Sequence, residues 1–152
     1  MTPPSGPGWQ VVVRGIPGPQ GSKDQFGRES SRKVKPWREA VRHEVADAID
    51  GGFAPVVGWP VLVRIDFYLP RPKAHYRTGK NAHLLRDGAP DWVSKRPDLD
   101  KLARSTLDAL TAAGAYPDDA CVAHLEVTKQ YGGIVGATIF VGPVSAPVTW
   151  RP

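Results

Sequence analysis

The stretch PVLVRIDFYLP, residues 60–70, reads as a strand and sets the fold. Val61, Val63, Ile65, Phe67 and Leu69 alternate with Leu62, Arg64, Asp66 and Tyr68. One face is wholly apolar and the other mixed, which suits a sheet covered on one side. Pro70 stops the strand. Upstream, WQVVVRG (9–15) is a second alternating, β-branched strand. After it, IPGPQGSKDQFGRESSRKVK carries two Pro and three Gly and reads as a loop. A helix is expected from Pro36, a favourable first helical position, with Trp37, Val41, Val45, Ala48 and Ile49 on one face and Gly51 and Gly52 ending it. Downstream, Leu99, Leu102, Ala103, Thr106, Leu107 and Leu110 keep helical spacing from Asp98 to a stop at Gly114. CVAHLEVTKQY reads as a strand, GG as a hairpin turn, and IVGATIFV as the returning strand. The order β-α-β-loop-α-β-β predicts an α/β (α+β) fold: one mixed sheet with two helices on one face.

The 152 residues fit a single domain, 1–152, with a loose Pro-rich tail over 143–152. A lone Cys121 excludes an internal disulfide and points to a reducing compartment. No apolar run approaches the ~20 residues of a membrane span. The start, MTPPSGPGW, lacks the charged and apolar regions of a signal peptide. A cytoplasmic protein is expected.

Twenty basic residues against fifteen acidic ones give a net charge of +5, unevenly placed. Residues 14–42 hold eight Lys/Arg and three acids, and residues 64–104 hold ten and five. A polyanion would be drawn to both stretches, nucleic acid first; a generally basic surface is the plainer alternative. The candidate DNA contacts are Lys23, Arg28, Arg32, Lys33 and Lys35 in the first stretch. In the second they are Arg71, Lys73, Arg77, Lys80, Lys95 and Arg96. Residues 70–97 form the longest segment without a period, a basic insertion holding His75, Tyr76, His83 and Trp92. Aromatics among cations can stack on bases, although a solvated insertion explains them too.

Four carboxylates stand out. Asp98 and Asp100 open the second helix, and Asp118 and Asp119 lie in the turn after it. Asp98 is a natural helix cap, Asp100 suits the helix dipole, and Pro-Asp-Asp is ordinary turn chemistry. Together, beside a basic loop, they also suit phosphodiester cleavage. That reaction needs an activated water and a neutralised leaving oxygen, and magnesium bound by oxygen ligands supplies both. The helix between the two pairs spans roughly 20 Å, so they meet only if the chain folds back. His43, His75, His83 and His124 lack zinc-site spacing. GIPGPQG lacks the Lys-Ser/Thr ending of a phosphate-binding P-loop, and no GxSxG nucleophile elbow occurs.

KRPDLDKLARSTLDALTAAGAYPDDACV, residues 95–122, closely resembles the signature of RusA-type Holliday junction resolvases. GIPGPQGSK and Lys129 also suit that family. The likeness is strong over 95–129 and weaker over 9–70, while residues 70–94 resemble the longer insertion of phage and prophage members. The resemblance implies a homodimeric crossover junction endodeoxyribonuclease of DNA recombination and repair. Such an enzyme nicks four-way junctions in symmetric pairs with Mg2+, or with Mn2+ in its place. It implies Asp98, Asp100 and Asp119 as the essential acids, with Asp118 as a further metal-ligand candidate. Arg104 stands where the family usually has a lysine, and Lys101 where it usually has Asn. Arginine effectively cannot release a proton. If the family lysine neutralises phosphate charge, Arg104 can replace it; if it transfers a proton, Lys101 would have to serve. An ion pair with Asp100 or Asp108 is the plainer role for Arg104. A flap or branched-DNA nuclease of the same fold and a non-catalytic nucleic-acid-binding protein are the alternative functions.

Overall fold

The structure, a computed structural model, describes residues 8–21 and 32–144. β1 spans Trp9–Arg14, α1 Val34–Asp50, β2 Val61–Leu69, α2 Leu99–Ala113, β3 Val122–Tyr131 and β4 Gly136–Pro143. The four strands form one mixed sheet in the order β1-β4-β2-β3. β2 lies inside it, parallel to β3 and antiparallel to β4. This is the α+β arrangement that the sequence predicts.

The alternation in β2 decides which face is covered. Val61, Val63, Ile65, Phe67 and Leu69 are all buried. They meet Trp37, Val41 and Val45 from α1 and Leu102, Ala109 and Leu110 from α2 in one core. Trp37 is the largest fully buried side chain. Its indole N–H donates to Thr106 Oγ1 at 3.0 Å, so the one polar atom of a buried ring is paired and the two helices are tied together. Thr106 Oγ1 in turn donates to the Leu102 carbonyl at 2.8 Å.

Three details differ from the sequence reading. α1 begins at Val34, ahead of Pro36, and Val34 is itself buried. α2 begins at Leu99 with Asp98 in the cap position. The largest difference concerns β3 and β4, which are not a hairpin, because β2 lies between them. Residues 132–135 step over the end of β2 instead of turning back on β3. Gly132 N donates to the Leu69 carbonyl at 3.3 Å, and a side chain at 132 would run into the Tyr68 ring. The Gly-Gly pair therefore provides a close crossing and not a tight turn. Gly114 ends α2 as expected, with φ +86, a conformation that favours glycine.

The 70–97 insertion is built from two short 3-10 turns, Lys73–His75 and Gly79–Asn81, and from bonds to carbonyls. Tyr76 bridges Leu85, and Trp92 bridges Gln130 on β3. Tyr131 N donates to the Asp91 carbonyl at 2.8 Å, which extends the sheet edge past β3. Of the expected loose tail, Pro143 closes β4 and Val144 N donates to the Pro60 carbonyl at 2.9 Å; residues 145–152 lie outside the described residues. Among the described residues no helix is long and apolar enough to cross a membrane.

Candidate active site

α2 lies beside β3, an edge strand, and their apolar sides line a shared cleft of about 580 Å³ with Leu99, Leu107, Leu125 and Val127. Asp100, Arg104 and Asp119 line that cleft too. Asp100 and Arg104 are one helical turn apart. Asp119 reaches the cleft from the 3-10 turn Asp119–Cys121 that leads into β3. Thr111 Oγ1 donates to Asp119 Oδ1 and fixes the carboxylate against the helix. Asp100 in the first turn of α2 and Asp119 beside Thr111 in its last turn thus line one cleft from its two ends. Asp118 caps the 3-10 turn, its Oδ1 accepting from Ala120 N at 2.9 Å.

A second acid beside Asp119 was not singled out by sequence spacing. Asp108 takes an ion pair from Arg38 on α1, Nη2 to Oδ2 at 3.3 Å. Burial, followed by the charge of Asp119, raises the Asp108 carboxyl above its ordinary value, against the pull of Arg38 and Arg104. The phenol of Tyr116 is also pushed up, first by burial and then by Asp119, so it stays protonated. Its hydroxyl donates to the Leu107 carbonyl at 3.3 Å. Arg38 also donates to Gln20 Oε1, which ties the first loop to this group.

Asp98 stands on the other side of the helix start. Its side chain caps no backbone N–H, so the capping role read from sequence belongs to its backbone alone. The carboxylate instead pairs with Lys101 Nζ at 3.6 Å. Both line a second cleft, of about 530 Å³, with Lys33, Lys95 and Arg96. Lys101 and Arg104, three residues apart, therefore face different hollows. Among the described residues no three His, Cys, Asp or Glu side chains gather closely enough to hold a metal ion by themselves.

The first loop closes this second cleft through α2. Ser105 Oγ donates to the Gly18 carbonyl at 2.6 Å, and Gln20 N donates to the Lys101 carbonyl at 3.0 Å. A buried serine on an apolar helix face is explained by that contact. Lys129 holds the opposite wall. Its Nζ donates to the carbonyls of Lys95 at 2.6 Å and Pro97 at 2.8 Å, just ahead of α2, where the Arg96–Pro97 peptide is cis. Lys129→Met is expected to destabilise the chain by about 1–2 kcal/mol and to speed amide exchange over residues 95–98. Urea unfolding with hydrogen exchange reads both, and unchanged exchange there would refute the pinning role.

The other expected DNA contacts are dispersed. Arg32 and Lys35 are exposed around the start of α1. Lys73 and Lys80 are exposed in the insertion. Arg71 has a side chain only 10 % exposed, pairs with Asp91 at 3.3 Å, donates to the Pro90 carbonyl at 2.8 Å and lies over the Tyr131 ring. It organises the insertion from within. Arg77 pairs with Asp87 at 3.2 Å. Lys23 and Arg28 lie outside the described residues.

Two carboxylates and an arginine in one cleft, with cations rimming the next, suit an enzyme that cuts a polyanion. The chain belongs to the RusA endodeoxyribonuclease family, whose sequence model matches residues 20–142. The match runs from the first loop into β4; it takes in the whole Asp100–Asp119 cleft and the charged rim of the other, though not Ile16, Pro17 and Pro19, and it makes the chain a DNA-cutting hydrolase by class. A search of curated proteins finds no significant match.

Proposed function

We propose that the chain is a magnesium-dependent endonuclease that nicks branched DNA, four-way junctions foremost, as a homodimer in recombination and repair. The observation that carries this reading is the one cleft that Asp100, Asp119 and Arg104 all line. Magnesium takes oxygen ligands, keeps several waters, and is held in nuclease-type sites by one or two carboxylates plus substrate phosphate. Asp100 and Asp119 are the two carboxylates that one cleft offers. Asp98, at the mouth of the same helix and not used as a side-chain cap, is the third candidate. A bound ion would supply an activated water and charge neutralisation at the leaving oxygen.

The protein's own part is placement and charge. Thr111 orients Asp119. Arg104 is exposed at the cleft, and a guanidinium is a fixed cation. It is suited to a phosphate oxygen in the transition state, where a fixed charge counts most, and it cannot transfer a proton. Lys101 pairs with its helix neighbour Asp98 beside the other cleft, which favours Arg104 as the residue doing the work of the family's lysine. Two-fold symmetry supports the dimer: a four-way junction is roughly two-fold, and a C2 pair presents two equal sites to it.

Arg104→Lys should keep cleavage within about tenfold, and Arg104→Ala should lower it about a hundredfold or more, measured as single-turnover nicking of a four-way junction. Full activity in Arg104→Ala would remove Arg104 from the site. A Lys variant as inactive as the Ala variant would show that the bidentate guanidinium geometry is needed as well as the charge.

A further inference from the structure

The 530 Å³ cleft on the Asp98 side has a composition of its own. Its floor is apolar, from Ile16, Pro17, Leu69 and Val93, with the Tyr131 ring at one end. Pro17, Leu69 and Val93 are buried, whereas Ile16 is 58 % exposed and leaves apolar surface open in the hollow. Among the described residues four cations, Lys33, Lys95, Arg96 and Lys101, line the same cleft against one carboxylate, Asp98. An apolar floor under a cationic rim fits a group that is flat and apolar at one end and anionic at the other. Its volume lies in the range of small-molecule sites. The walls are braced by Ser105 on Gly18 and by Lys129 on Lys95 and Pro97.

We propose that this cleft takes one unpaired nucleotide of the DNA, its base on the Ile16–Val93 floor and its phosphates on the lysine and arginine rim. The proposal rests on the branched-DNA reading above and adds how a branch is told from a plain duplex. A base within a duplex must be unpaired and unstacked before it can enter, whereas a nucleotide at a branch point is released more cheaply. A base on such a platform is bound whatever its identity, because every base has an apolar face. The rim alone holds phosphate from any DNA. The floor is therefore the part that discriminates, and the rim the part that does not.

The test uses the full chain without divalent metal, so that nothing is cut. A four-way junction carrying 2-aminopurine at the crossover should brighten on binding as that base leaves the stack. A blunt duplex with the same base in its middle should not. Ile16→Asn changes an exposed floor residue, and its fold is checked by thermal melting. The variant should abolish the brightening and weaken junction binding about tenfold, with duplex binding changed less than about twofold. No brightening with the unsubstituted chain, or equal weakening on junction and duplex, would overturn the proposal. A junction that brightens but is never cut in magnesium overturns the nuclease reading and leaves the cleft standing. A junction that is cut without any brightening overturns the cleft alone.

Discussion

Asp119→Asn should lower junction nicking about a thousandfold, since a ligand to a catalytic cation accounts for several kcal/mol of barrier, while leaving junction affinity intact or tighter. The substitution keeps the side chain's size and one acceptor oxygen for Thr111, so the turn before β3 should stay in place. It removes one of two negative charges lying together, because Asp108 sits against Asp119. It also removes a negative charge from the cleft proposed to receive phosphate, and this is why binding should not suffer. Single-turnover cleavage and a gel-shift titration, run on the same preparation, separate the two effects. Strong nicking by the variant would take Asp119 out of the catalytic centre. Loss of binding along with cutting would show that it holds the fold instead.

Trp37→Ala should produce the largest loss of stability, about 3–5 kcal/mol, or roughly 10 °C in melting temperature for a chain of this length. The ring is 1 % exposed and lies between α1, α2 and the sheet, with Phe67 tilted against it at 6.3 Å. Three elements meet at the void that its removal leaves, so none can close it alone. Thr106 still has the Leu102 carbonyl as a partner, and an orphaned hydroxyl adds little to the loss. Thermal unfolding followed by circular dichroism checks the figure. A loss below about 1 kcal/mol would mean that the helices are not anchored to the sheet through this ring.

The elements were legible where burial imposes a period. The β2 alternation, the α2 face and the Gly114 stop all follow from side chains that must reach one core. Topology was less legible, because a hairpin and a crossover can share the same Gly-Gly pair. What separates them is Tyr68, a residue sixty-odd positions earlier that lies beneath Gly132. The insertion escaped periodic reading because Arg71, Arg77 and Arg86 organise it by donating to carbonyls, a pattern with no repeat. At the site, the carboxylates could be named from their spacing and from family likeness, but their partition could not. Only the structure sets Asp100, Arg104 and Asp119 on one side of α2 and Asp98 with Lys101 on the other. Spacing named Asp108 only as a possible partner of Arg104; its place beside Asp119 could not be read from a helix wheel. Its meaning comes from Arg38 on another helix.

The two clefts are proposed to cut branched DNA together. The most direct test maps the nicks made on a four-way junction across a magnesium titration, with a linear duplex and a flap of matching sequence alongside. Paired nicks placed symmetrically about the crossover are expected, appearing only with the metal, with little cutting of the duplex. Tight junction binding without a nick at any magnesium concentration would contradict the proposal.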